Sequence, residues 1–174
     1  MPILRIARRG DAQRLSSLAE RTFRDTFGAV NTAANMDLHC KDSYGEAIQE
    51  AEILNPKMAT LLFEDKGALV GFAQLRWGGA PQCISAASPG EIQRLYVGKD
   101  WHGKGAAQEL MSACLGEMEA RGSDVVWLGV WERNPRAIAF YRKSGFVDAG
   151  EIAFPLGRDL QRDIVMFRPV VGSR

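Results

Sequence analysis

The segment VGKDWHGKGAA, residues 97–107, carries the residues whose types and spacing point most directly to chemistry. Gly103, Gly105, Ala106 and Ala107 leave main-chain groups open to a closely lying ligand. The helix expected to begin here adds free N–H groups and a partial positive charge at its first turn, a combination that favours a phosphate or pyrophosphate. Two phosphate motifs come near and fail. From Gly98 to Lys104 the spacing is G-x-x-x-x-G-K, but Gly105 follows where a Ser or Thr would hold magnesium. The dinucleotide fingerprint G-x-G-x-x-G fails because Gln108 stands at its third glycine. At this point a tight turn whose glycines serve only packing stays open as the alternative.

The elements that must position this loop can be read from apolar periodicity. Residues 3–9 alternate as a strand, and Asp11 is expected to cap a helix over 12–27 that carries Leu15, Leu18, Ala19 and Phe23 on one face. A less regular stretch follows to Ser43, where Ser43 and Glu46 have capping-box spacing for a second helix ending near Leu54. Residues 58–64 and 68–76 read as a hairpin around Asp65-Lys66-Gly67. A Gly-, Pro- and Ser-rich loop spans 78–90. A strand at 91–97, a helix over 103–121 and the doubly apolar strand VVWLGVW at 125–131 come next. Asn134-Pro135 starts a helix that ends at Gly145. Two strands, 146–154 and 160–167, complete the order β-α-α-β-β-β-α-β-α-β-β. The order predicts a mixed sheet of about seven strands covered by helices.

Composition sets limits on what this scaffold does. The 174 residues are 46% hydrophobic and 25% charged, with 22 Lys plus Arg against 21 Asp plus Glu. Such a chain buries roughly 70% of its unfolded surface without staples. A net charge of +1 argues against a broad nucleic-acid or anionic-membrane face and leaves room for a local anion site. Cys40, Cys83 and Cys114, with only His39 and His102 to join them, suggest neither a disulfide framework nor a metal site. The apolar run 125–131 is far short of the roughly 20 residues that span a bilayer. Charges within residues 1–10 argue against a secretory segment, so a cytoplasmic setting is expected.

A second constellation lies downstream, in WLGVWERNPRAIAFYRKSGF. Residues 134–146 match N-x-x-A-x-x-F-Y-x-x-x-G-F without a gap. His102 to Ala107 match Q/R-x-x-G-x-G/A except at the first position, where His102 replaces Gln or Arg. With both motifs at compatible spacing, the sequence resembles the GNAT superfamily of N-acetyltransferases, and it is most similar to the bacterial polyamine-type branch. The resemblance covers nearly the whole chain. It implies one N-acetyltransferase domain over residues 1–174, of the α/β (α+β) class, with a mostly antiparallel sheet, two splayed parallel central strands and helices on both faces.

What the resemblance implies for chemistry is acetyl transfer from acetyl-CoA to a primary amine, polyamine-like or peptide, by direct attack on the thioester. Pantetheine would pair with main-chain groups near Leu95 and Val97, and the pyrophosphate would sit on His102, Gly103, Lys104, Gly105, Ala106 and Ala107. Asn134 is expected near the cofactor as well as at its helix cap. Tyr141 matches the family tyrosine that protonates the departing thiolate. An alkylamine is neutral only about once in 2,500 at pH 7, a penalty of roughly 4.6 kcal/mol, so a deprotonation route is needed. Glu91 is the candidate general base, acting through water. Phe23, Phe27 and Trp77, with Glu91 and the 78–90 loop, are expected to shape the acceptor pocket, and Asp25 or Asp37 to attract a cationic amine. Relatives of this kind are often dimers. A non-catalytic acyl-CoA-binding or sensing module is the alternative reading; a nucleotide hydrolase is disfavoured by the absent Ser or Thr.

Overall fold

Successive residues Leu61, Leu62 and Phe63 send their side chains to opposite faces of one sheet, and both faces are dry. That single fact requires helices on each side. The computed structural model, which describes residues 2–170, supplies them. The elements are β1 (Ile3–Ile6), α1 (Ala12–Phe27), α2 (Ala33–Tyr44), α3 (Glu46–Leu54), β2 (Met58–Asp65), β3 (Ala68–Trp77), β4 (Pro89–Val97), α4 (Ala106–Ala120), β5 (Val125–Trp131), α5 (Pro135–Lys143), β6 (Val147–Leu156) and β7 (Asp159–Pro169). The seven strands form one sheet in the order β1-β2-β3-β4-β5-β7-β6. Every neighbouring pair is antiparallel except β4 with β5.

Leu110, Met111, Cys114 and Met118 of α4 and Ile138 of α5 pack with Phe63, Leu75 and Leu128 on one face. On the other, Leu15, Leu18 and Phe23 of α1 and Met36 and Cys40 of α2 pack with Leu62, Phe72 and Trp131. A buried polar relay ties α3 to the sheet on that same side. Gln74 donates to Gln49 (2.9 Å), Gln49 donates to the Ser43 carbonyl (2.9 Å), and Arg94 donates to Gln74 (2.6 Å) and Glu52 (2.8 Å). The β2–β3 turn has positive φ at both Lys66 (50°) and Gly67 (82°), the combination that matches strand twist in a two-residue hairpin.

Three local expectations are corrected. The stretch before Ser43 is not irregular: α2 occupies it, capped by Thr32, whose hydroxyl accepts from the Asn35 amide at 3.2 Å. Its buried residues, Met36, Cys40 and Tyr44, fall once per turn, too narrow a stripe to read as a helix from pattern alone. The capping box at Ser43 and Glu46 does not form, because α3 starts at Glu46 with Gly45, which has no side chain, at its cap. Asp11 does not cap α1 with its carboxylate either.

That carboxylate instead accepts two hydrogen bonds from Arg5 (2.8 and 2.8 Å), one from Arg14 (3.1 Å) and one from the Arg8 amide (2.8 Å). Glu64 of β2 shares Arg5 at 2.9 Å, so the cluster ties β1, the start of α1 and β2 together. The Arg5 guanidinium, chiefly, holds the Asp11 carboxyl well below the usual carboxylate range. A depressed pKa contributes stability above the unfolded value of about 3.9, and the contribution is lost as pH falls below it. Asp11→Asn is therefore expected to destabilise the protein by roughly 2 to 3 kcal/mol at neutral pH. Urea midpoints of the two proteins should converge as pH is lowered below about 4.

Candidate active site

The parallel strands β4 and β5 pair only through Pro89↔Val125, Gly90↔Val126 and Glu91↔Trp127, and then separate. The register of β4 against β3 jumps from Gln74↔Arg94 to Leu75↔Ile92, which leaves Gln93 as an extra residue. Such a bulge bends the strand and increases its twist, and this one lies two residues after the last β4–β5 pair. The bend opens a V. The Gly98 amide donates to Val70 in β3 (2.8 Å), so by strand alternation the amides and carbonyls of Leu95 and Val97 face the opening.

The mouth of the V widens into a cleft of about 620 Å³, lined by Leu95, Val97, Gly103, Gly105, Ala106 and Ala107 on one side and by Asn134, Phe140 and Tyr141 on the other. Gly103 (φ 77°) and Gly105 (φ 83°) both adopt left-handed backbone. They turn the chain so that α4 begins at Ala106 with its first amides unpaired within the helix. His102 closes this loop. Its Nδ1 accepts from Arg136 at 2.8 Å, so Nε2 carries the proton that it donates to the Val97 carbonyl at 3.0 Å. The imidazole thereby joins the end of β4 to α5. Lys104 is drawn over the Trp101 ring, 5.5 Å from its centroid, rather than pointing along the amides.

Across the cleft, Asn134 caps α5 by accepting from the Ala137 amide at 3.2 Å. Tyr141 presents its ring edge-on to Phe140 (5.4 Å) and Phe146 (5.9 Å). Burial pushes its phenol well above the ordinary tyrosine value, so it stays protonated and able to donate. Leu95, Tyr96, Asn134, Ala137 and Tyr141 also line a second recess, bounded by Phe27, Gln93, Gly129, Trp131, Phe154 and Asp163. The cleft and the recess therefore meet at Tyr141. Asp163 is nearly buried, and burial alone raises its carboxyl to about 7.

Sequence reasoning missed Asp163, although a single acid inside the alternating strand LQRDIVMF was a usable signal. The other expected acceptor residues scatter. Phe27 lines the recess, but Phe23 is core, stacked on Phe27 (4.4 Å) and His39 (4.2 Å). Trp77 lies at the far end of β3, donating to Ser123 (2.8 Å) under the Arg121 guanidinium. Asp25 lines the cleft and pairs with Lys99 at 3.3 Å; Asp37 pairs with Arg24 at 2.8 Å on the surface. The 78–90 loop is tied beneath the closed end of the V, where Asp124 accepts from the Ala87 and Ser88 amides (2.8 and 3.0 Å). Glu91 also sits at that closed end, paired with Arg76 and lining neither the cleft nor the recess. A carboxylate held there by a guanidinium is not positioned to take a proton in the cleft.

Residues 13–146 match the model of the acetyltransferase (GNAT) family. The chain is 32% identical over 161 residues to an uncharacterized N-acetyltransferase of Mycobacterium tuberculosis, covering 92% of this chain and 99% of that one. It is 27% identical over 135 residues to the spermine/spermidine N(1)-acetyltransferase of Bacillus subtilis, covering 71% and 86%. Among solved structures, the PaiA N-acetyltransferase of Thermoplasma acidophilum in complex with coenzyme A superposes with a TM-score of 0.79 at 20% identity, over 97% of this chain and 99% of that one.

The placement of Glu91 carries a direct test. Glu91→Gln is expected to cost roughly 1 to 2 kcal/mol of stability through the lost Arg76 pairing. Calorimetric titration of the variant with a cleft ligand should give the wild-type affinity.

Proposed function

The chain belongs to the GNAT family of acetyltransferases, and from that premise we propose that it transfers acetyl from acetyl-CoA to a primary amine of a small, polyamine-like molecule or a peptide. The observation that carries this reading is the meeting of the glycine-lined cleft and the aromatic recess at Tyr141. One side fits a long ligand that ends in phosphates, and the other fits an acceptor. We carry over from the resemblance a single acetyltransferase domain, a cytoplasmic setting and a homodimer.

The residues present fit acetyl-CoA. The outward-facing amides of Leu95 and Val97 and the Leu95 carbonyl offer the pantetheine arm an edge like that of a missing strand, the Val97 carbonyl being taken by His102. The amides from Gly103 to Ala107 form a pyrophosphate cradle, with Arg136 adding charge beside it. His102 keeps this cradle in place through Val97 and Arg136, a fixing role for the side chain that stands where Gln or Arg is usual. Bound acetyl-CoA supplies an activated acyl carbon and a thiolate leaving group. The amine would attack that carbon directly from the recess side, with the Tyr141 phenol giving its proton to the sulfur.

Thiol release from acetyl-CoA, measured across polyamines, aminoglycosides, amino acids and peptides, tests the reading. Acceptor-dependent release is expected; coenzyme A binding without release for any amine would reject it. Tyr141→Phe should lower kcat about 100-fold while leaving the KM for acetyl-CoA nearly unchanged. Gly105→Val forces a branched side chain into left-handed backbone, at roughly 1 to 2 kcal/mol. It should raise the KM for acetyl-CoA severalfold, with a smaller effect on kcat.

A further inference from the structure

Building on the acetyl-transfer reading, we propose that Asp163 takes the acceptor's proton, and that Asp163 Oδ1 and Gln93 Oε1 together receive its ammonium group. The two residues flank the V: Gln93 at the bulge of β4, and Asp163 on β7, the strand behind β5, where it pairs with Trp131. Both line the recess, and both oxygens are buried without a hydrogen-bond partner. Two buried orphan acceptors in one cavity are costly unless a donor arrives. An ammonium group brings three N–H donors and no acceptor. The faces of Phe27, Tyr96, Trp131 and Phe154 around them suit a cation on an alkyl chain.

The surroundings leave this carboxylate free for such a ligand. A side chain at Gly129 would come within 3.1 Å of Asp163 Oδ2, so the glycine makes room for it. Arg94 of β4 lines the recess but is held by Glu52 (2.8 Å) and Gln74 (2.6 Å). The other ionisable groups facing in are Tyr96 of β4 and Tyr141 of α5, and burial raises both phenols. His39 of α2 lies behind Phe154, 5.6 Å from its ring, and burial lowers its pKa so that it stays neutral. From β5 and β6 only Gly129, Val130, Trp131 and Phe154 line the recess. Arg162, next in β7, alternates to the opposite face and pairs with Glu132 (2.7 Å) and Glu151 (2.9 Å).

The step balances as follows in atoms and charge. One N–H bond of the ammonium breaks and its proton passes to Asp163 Oδ1; a carboxyl poised near 7 accepts it at neutral pH. The freed lone pair forms the C–N bond to the acyl carbon and the C–S bond breaks. Tyr141 protonates the thiolate and regains a proton from the new amide nitrogen, while Asp163 releases its own to solvent. Ammonium and thioester thus become acetamide, thiol and one proton.

The test is thiol release with 1,4-diaminobutane and spermidine between pH 6 and 9.5. Wild-type kcat/KM should rise to a plateau above about pH 7. Asp163→Asn should lower it at least about 100-fold at pH 7.5. In that variant only neutral amine reacts, so the rate should climb tenfold per pH unit, with the KM for acetyl-CoA unchanged. Gln93→Leu should raise the diamine KM severalfold and keep the wild-type pH profile. Asn removes a buried charge without changing shape, and unfolding at pH 8 should show the variant at least as stable as wild type. A wild-type rate and profile in Asp163→Asn would overturn the proposal. Should wild type bind coenzyme A yet release no thiol, the transfer reading fails separately. Calorimetry with 1,4-diaminobutane then decides the ammonium site: binding lost in Asp163→Asn supports it, and equal or absent binding in both proteins overturns it.

Discussion

The separation of β4 from β5 is the constraint on which the rest of this structure depends. A parallel pair normally continues until one strand ends, because each added residue satisfies main-chain groups on both sides. Here three residue pairs form, and then the Gln93 bulge turns β4 away. The main-chain groups freed by that turn are the amides of Leu95 and Val97 and the Leu95 carbonyl, the Val97 carbonyl being taken by His102, in the middle of a sheet whose faces are otherwise covered. They need partners. The fold leaves a strand-shaped vacancy at its centre, and both the cleft and the recess are its consequences.

Two devices hold the V open. On the α1 side, Arg94 is fixed between Glu52 and Gln74, so the bent part of β4 is anchored to α3 just past the bulge. On the α5 side, His102 spans from the Val97 carbonyl to Arg136, fixing the end of β4 against the opposite wall. The same loop then enters α4 through two left-handed glycines, and the anion site proposed there would rest mainly on amides. Such a site asks for no excess of basic residues, so a net charge of +1 is compatible with an anionic ligand.

The recess shows the opposite economy. Asp163 is a carboxylate on the buried face of an alternating strand, with burial raising its pKa and, among the described residues, no cation paired with it. Its effect on stability runs against that of Asp11. A raised carboxyl pKa means the folded state binds the proton more tightly, so this site destabilises the fold increasingly as pH rises from about 4 toward 7. Asp11, gripped by Arg5, stabilises over the same range. One acid serves the architecture; the other is kept at a cost to it, which is the pattern of a group retained for a ligand.

Much of this was legible in the residues themselves. Periodicity placed the seven strands and four of the five α-helices. The spacing of His102 to Ala107 and of Asn134 to Phe146 pointed to the glycine loop and to Tyr141, because local rules govern those features: left-handed turns favour glycine, and Asn followed by Pro favours a helix start. The helix α2 escaped notice because one buried residue per turn gives little signal. The acceptor side was misread for a deeper reason. Glu91 and Trp77 look well placed along the chain, yet the direction of the V, open toward Val97 and closed at Glu91, is set by a register shift between strands. Asp163 reaches the recess only because β7, rather than β6, inserts beside β5. Strand order and register are long-range choices that no local spacing encodes, so the sequence determined the loop and the tyrosine, and only the tertiary structure decided which acid shares a recess with that tyrosine.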